Sequence, residues 1–294
     1  MGFTSMDDFM NEVTTNGKFW RTDWNKNTYQ TTAQTAGTWY CLFQGMGNPV
    51  SGTVFGTGTN RTFQTCSDTI GGGLYHGGDV SPDTKHILNA SAFSAAATSM
   101  PAVFMLVDLL GFYPISTVTT TGNQAMTNSL SLPRYTDGAG VQAFLVPSTV
   151  MGAGTPNISL VYSSSDNVQN KATPTVLPIG NTTAPITQIV YSGTGAGKYG
   201  PFIPLAAGDR GIKLVESFSL STTYTSGFLN LCLCKPLLTL PMTTIGVAAE
   251  RDLLNQVPSL PQVKDGACLV WLMYAGAATP VNSAFYGHLD FGWG

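Results

Sequence analysis

The sequence predicts an all-β fold, a jelly roll or a β-sandwich or barrel, entered through a short N-terminal helix and arm. Three observations carry that expectation. Glu occurs only at Glu12, Glu216 and Glu250, and Lys and Arg together number 13 in 294 residues, so the residues that usually build surface helices are scarce. The chain holds 33 Gly and 17 Pro beside abundant Thr, a composition of turns and strands. Its apolar residues fall mostly into short runs bounded by Gly, Pro, Asn or Asp, the pattern of strands between turns.

The helix signal comes first. Ser5 followed three residues later by Asp8 resembles a capping box, with acidic charge at the positive end of the helix dipole. Met6, Phe9, Met10 and Val13 then recur at helical spacing, and Gly17 is a natural stop. So short a helix is stable only when it packs on something. Phe19, Trp20, Trp24 and Tyr29 follow, interleaved with Lys18, Arg21 and Lys26. Two readings of residues 1–37 stay open. The segment is a helix and arm folded over the domain's own core, or an arm that docks on a capsid or neighbouring subunit through Met6, Phe9, Met10, Trp20 and Trp24.

Residues 38–294 read as one β-rich, jelly-roll-like domain, elaborated or divided into two subdomains. Runs at 38–43, 103–110, 141–146, 158–162, 186–191 and 268–274 are the expected strands. Ile212 to Leu220 alternates more cleanly, with Ile212, Leu214, Phe218 and Leu220 on one parity, broken only by Glu216. A strand is also expected to start near His86. Asp137-Gly138 before an apolar run signals a tight turn, and 193–200 reads as a loop. Residues 247–256, with Leu253 and Leu254 and closed by Pro258, read as a short helix or turn. No repeat of roughly 20 to 50 residues is present, which excludes a solenoid or propeller.

Composition also bounds function. Charged residues make up 10% of the chain and hydrophobic residues 43%, so it is neither a disordered chain nor, at a net charge of −3, a nucleic-acid binder built on clustered cations. The most apolar run, 102–112, is broken by Asp108 and too short to span a bilayer. The first six residues lack a basic and apolar secretory leader, and Met6 breaks the myristoylation pattern. The five cysteines are an odd number scattered through a long chain, which reads as reduced thiols in a chain made in a cytosol. Four Asn-x-Ser/Thr sequons, at Asn60, Asn89, Asn157 and Asn181, read as chance matches in so Thr-rich a chain.

The chemistry-bearing motifs fail on their own terms. His76 to His86 is the densest polar stretch and contains Ser, His and Asp, but no Gly-x-Ser-x-Gly elbow accompanies it. Two His ten positions apart without a Cys pair are a poor zinc set. Cys232 and Cys234 share one side of a strand and read as core thiols. The stretch from Gly193 to Tyr199 misses a phosphate loop at Ser192 and at Tyr199. Carboxylates are too dispersed to suggest a glycosidase pair. No catalytic residue, cofactor or metal ligand is assigned.

Both ends and the middle carry a resemblance. Met6-Asp7-Asp8-Phe9-Met10, the run from Gly17 to Lys26, His76-Gly77-Gly78 through His86, Glu250 to Gln256, Pro258 to Pro261, Lys264 to Leu269 and the closing Phe285 to Trp293 together resemble a family of tailed-bacteriophage virion proteins found among head-gene products. The likeness runs the length of the chain and brings no functional residues with it. It implies a structural particle component without enzymatic activity, a capsid cement or decoration protein. Its partners would be the major capsid protein and its own copies in a homotrimer, and its place the outer capsid surface after assembly in a host cytoplasm. A tail-fibre or adhesin module binding a host glycan is the alternative.

Overall fold

The computed structural model describes residues 2–28, 33–52, 55, 61–94, 100–115, 118–127, 131–173, 177–178, 186–190, 200–256 and 260–294. Tyr29, Pro258, the sequons at Asn60 and Asn181, and positions 193–199 of the expected loop lie outside them.

Ser5 caps helix α1 (Met6–Met10), its Oγ accepting from the Asp8 N–H at 3.0 Å. Asp8 does not close a capping box. Its carboxylate accepts from the N–H and the Oγ of Thr4 instead, at 2.8 and 3.0 Å. One π-helical turn, Asn11–Thr15, continues the helix. Gly17 then adopts φ +67°, a backbone state that costs glycine little, and the chain enters β1 (Phe19–Asn27).

The later strands are β2 (Thr38–Cys41), β3 (Gly47–Asn48), β4 (Gln64–Thr65), β5 (Lys85–Ala92), β6 (Ala102–Ile115), β7 (Gly122–Ala125), β8 (Gln142–Thr149), β9 (Asn157–Ser164), β10 (Lys171–Ala172), β11 (Leu177–Pro178), β12 (Ile212–Leu220), β13 (Phe228–Met242), β14 (Ala249–Asp252), β15 (Gln262–Val263), β16 (Leu269–Ala275) and β17 (Ala284–Trp293). Helix α2 (Leu253–Gln256) is a single turn after β14. The strands form three antiparallel sheets, ordered β14-β5-β17-β1-β3, β2-β16-β6-β13-β8 and β10-β9-β12-β7. The chain is therefore all-β, in layered sandwich form. Among the described residues no helix is long and apolar enough to cross a membrane.

The second sheet is the middle layer. Trp24, Ile87, Phe285 and Leu289 of the first sheet close one core against Phe104, Leu240 and Trp271. Leu160, Tyr162 and Phe218 of the third sheet close another against Leu109, Phe144, Leu231 and Leu272. β16 alternates between them, with Leu269, Trp271 and Met273 in the first core and Val270 and Leu272 in the second. A strand covered on both faces reads as an unbroken apolar run, which is why 268–274 shows no alternation. β6 and β13, 14 and 15 residues long, serve both cores. Their register slips where Leu233 faces Gly111 and Cys234 faces Leu109, leaving Leu110 as the extra residue of a bulge.

Several expectations are corrected. Residues 19–27 are no arm: β1 pairs along its full length with β17 and lies between it and β3, so within 1–37 the helical segment alone precedes the sheets. Residues 186–190 form a turn with one bridge, Gln188 to Tyr40, instead of a strand, because their backbone bonds divide between Trp39 and Cys41 of β2 on one side and Leu145 of β8 on the other. The 38–43 run is a strand only to Cys41, after which Leu42–Gln44 turn in a short 3-10 helix. The 247–256 segment begins as β14, edge partner of β5, before its helical turn.

Candidate functional site

The residues expected to make contacts divide by side. Met6 and Met10 on α1 are 59% and 49% exposed and Trp20 is 41% exposed, whereas Phe9 and Trp24 are buried. As docking anchors Phe9 and Trp24 are corrected. Phe9 sets its ring edge-on to Phe3 at 5.0 Å, and Trp24 lies 5.2 Å from Trp271 in the first core. Their apolar surface is spent inside this chain. Trp20 instead meets Tyr75 edge to face, 5.7 Å between centroids, and donates its Nε1–H to Thr22 Oγ at 2.9 Å. Tyr75 is half exposed and Phe19 adds a further exposed ring. Sequence reading passed over Tyr75, because nothing local joins it to Trp20. The join is made by Gly77 at φ +87°, where an added Cβ would stand 2.8 Å from the Trp20 ring.

Directly beneath Tyr75 lies a buried polar cluster. His76 has no exposed surface. Lys85, at the start of β5 and equally buried, reaches back into the loop. Its Nζ lies 3.0 Å from His76 Nδ1, donates to the His76 carbonyl at 2.7 Å and also donates to the Gly78 carbonyl. It stands over the Trp293 ring at 5.3 Å. Burial lowers the Lys85 pKa to about 8 against the pull of Asp265, Asp79 and Asp68. Burial, then Lys85, holds the His76 imidazole below its ordinary value. On the other side of the ring Nε2 has no hydrogen-bond partner, and Asp68 Oδ2 is 3.9 Å away. Ligand atoms of Asp68, His76 and Asp79 all lie within 4.8 Å of one another. Asp79 Oδ1 accepts from the Gly266 N–H at 2.7 Å, and Asp265 Oδ1 accepts from the Val80 N–H at 3.0 Å. These two bonds stitch the loop to the turn before β16. His86 takes no part, since it faces Phe3 and the Leu260 carbonyl.

Among the described residues Ser, His and Asp converge on the outer face of the first sheet. Ser91 Oγ is 2.7 Å from His288 Nδ1 and accepts the His288 N–H at 3.0 Å. His288 Nε2 is 3.9 Å from Asp290. Arg21 holds Asp290 through two bonds of 2.7 Å, so its charge is not aimed at the ring. Ser91 sits within β5, opposite Glu250 of β14, in a strand paired on both sides with β14 and β17, where backbone N–H groups serve the sheet and not an oxyanion. This geometry is a polar sheet face and not an acyl-transfer triad. The thiols are equally quiet. All five cysteines are buried. Burial pushes Cys41 and Cys66 up to about 12 and raises Cys232, Cys234 and Cys268 well above the ordinary thiol value, the opposite of a reactive thiolate.

No protein-family model matches the chain, and no curated protein matches it. Among solved structures it is similar at 8% identity to VP2 of infectious bursal disease virus in a subviral particle, over 96% of this chain and 86% of that chain, with a TM-score of 0.20. A mutant VP2 of that virus in derived T=1 particles is similar at 7% identity over 96% and 82%, with a TM-score of 0.16. Likeness at that level carries no argument about this chain.

Proposed function

We propose that the chain is a structural subunit of a tailed-bacteriophage virion, a cement or decoration protein that binds the major capsid protein on the outer shell as a homotrimer. The observation that carries the reading is a group of exposed large apolar side chains. Met6, Met10, Phe19, Trp20 and Tyr75 stand on α1, the start of β1 and the loop that Trp20 touches, on a chain in which 10% of residues are charged. A cement subunit holds neighbours by desolvated contact and not by chemistry, so it needs aromatic anchors on a stiff body. Two cores built on one shared sheet supply the stiffness. The resemblance of the two ends to virion proteins supports the same reading. A net charge of −3 suits the outer face better than the DNA-lined interior, so the reading includes no nucleic-acid partner. One observation favours a second reading, a glycan-binding tail module. Trp20 and Tyr75 present two rings 5.7 Å apart at the surface, a platform on which a sugar ring can stack.

Binding of the full chain to capsids stripped of it, with oligomer size from light scattering, tests the proposal. Trp20→Ala and Tyr75→Ala are expected to weaken capsid binding by at least about tenfold each, since hot-spot rings cost about 2 kcal/mol or more, amplified by avidity in a trimer. Variants that bind capsids like the parent overturn Trp20 and Tyr75 as capsid contacts. Retained capsid binding combined with lost glycan binding moves the chain to the second reading.

A further inference from the structure

We propose that Asp68, His76 and Asp79 bind one divalent transition-metal ion, of which Zn2+ is the best fit, and that the ion fastens the loop carrying Tyr75 to the sheets. Two independent observations point to it. The donor set is one imidazole and two carboxylates, the mixture that Zn2+ and its neighbours accept. Their ligand atoms lie within 4.8 Å of one another. Bonds of about 2.0–2.2 Å to a shared ion place tetrahedral ligands roughly 3.4 Å apart, so the 3.9 Å from His76 Nε2 to Asp68 Oδ2 needs to close only slightly.

The second observation is His76 itself. Its ring is fully buried, yet Nε2 has no hydrogen-bond partner and points toward Asp68. At 3.9 Å the carboxylate is too distant to serve as that partner, and an orphaned buried polar atom calls for one. An ion seated between ring and carboxylates supplies it. Charge agrees. Asp68, Asp79 and Asp265 face Lys85 as the cation among them, and three carboxylates against one ammonium leave two formal negative charges for a dication to balance.

The surroundings hold the ligands in place, as outer-shell partners of metal sites do. Gly266 N–H fixes Asp79 through Oδ1. Lys85 Nζ occupies the Nδ1 side of the ring, so the imidazole has one free nitrogen and it faces the carboxylates. Asp79 is exposed, so water completes the coordination shell from that side.

The proposal stands apart from the capsid reading, and its test uses no capsids. The full chain, stripped with EDTA and dialysed, is titrated with Zn2+ by calorimetry and with Co2+ by visible absorption. One Zn2+ per chain, a raised melting temperature and Co2+ ligand-field bands are expected. Asp68→Asn and Asp79→Asn, each of which keeps an oxygen acceptor, are expected to lose at least about tenfold in affinity with unchanged far-ultraviolet dichroism. Asp166→Asn, on an exposed turn outside the cluster, is expected to bind like the parent. Absence of binding below millimolar Zn2+ overturns the site. So does parental affinity in both ligand variants, which would put the ion elsewhere on the chain.

Discussion

At the scale of single residues the strongest constraint is a charge inside the middle sheet. Asp108 is fully buried on β6 and takes two bonds from Arg134, at 2.8 and 2.7 Å, and one from the Cys268 N–H at 3.0 Å. Arg134 also donates to the carbonyls of Cys66 at 3.0 Å and Leu109 at 3.1 Å. One residue therefore ties the 131–135 segment to a strand and to a loop. Burial raises the Asp108 pKa even against the neighbouring guanidinium, so desolvation outweighs attraction. The pair is then costly to split but not to replace. Arg134→Met is expected to lower unfolding free energy by about 3–5 kcal/mol by stranding the carboxylate, read from urea midpoints. The double variant Asp108→Leu with Arg134→Met should lose less than the two single losses combined. Additive losses would mean that the two groups do not act as a pair.

At the scale of elements, what the sequence made legible was whatever depends on near neighbours. Ser5 capping and the strand Ile212–Leu220 are local, and both elements stand where the pattern puts them, although two register shifts in that strand bury Val215 and leave Leu214 half-buried. β1 was illegible as a strand because its inward side mixes Trp24, in the core, with Lys26, whose Nζ donates to the Gly45 and Val50 carbonyls at 3.0 and 3.3 Å. A buried lysine satisfied by distant carbonyls breaks any hydrophobic period. Asp68, His76 and Asp79 were illegible as a cluster for a related reason, since Gly77 and Gly78 at positive φ fold the loop in a way that no periodicity reports. β1 also decides how the N-terminus is tested. Deleting residues 2–16 should leave the β dichroism intact, whereas deleting 1–26 should abolish it by removing most of a strand held between β17 and β3. Strand β16 gives a second test. Trp271→Ala should cost about 3–5 kcal/mol and Leu272→Ala about 2–5 kcal/mol, in different cores. Because both residues lie on one strand, each should shift the same single transition by tryptophan fluorescence and by calorimetry. Two separated transitions would refute coupling through the shared sheet.

At the scale of the whole molecule, layering puts every cysteine inside, and that sets the response to alkali. A group whose pKa is higher in the folded state contributes stability that is complete below its unfolded value and is lost as pH rises through the folded one. The ordinary thiol value is 9.0, and burial carries Cys41 and Cys66 up to about 12 and the other three well above normal. Tyr113 and Tyr162, each pushed up to about 12, act in the same direction. Two lysines oppose them. Burial lowers Lys26 and Lys85 to about 8 from 10.5, so their burial cost is complete below pH 8 and is relieved as pH climbs toward 10.5. Below pH 9 the lysines act nearly alone, and above it five thiols outnumber two amines. The melting temperature in reducing buffer is therefore expected to rise slightly from pH 7.5 to near 8.5 and then to fall steadily through pH 11. A thiol-specific chromophoric reagent added at pH 8 separates this cause from general alkaline damage. The folded chain should stay unreactive, and five equivalents should react once urea has unfolded it. A melting temperature still climbing at pH 10, or thiols that react in the folded chain, would show that the cysteines are not sealed between the sheets.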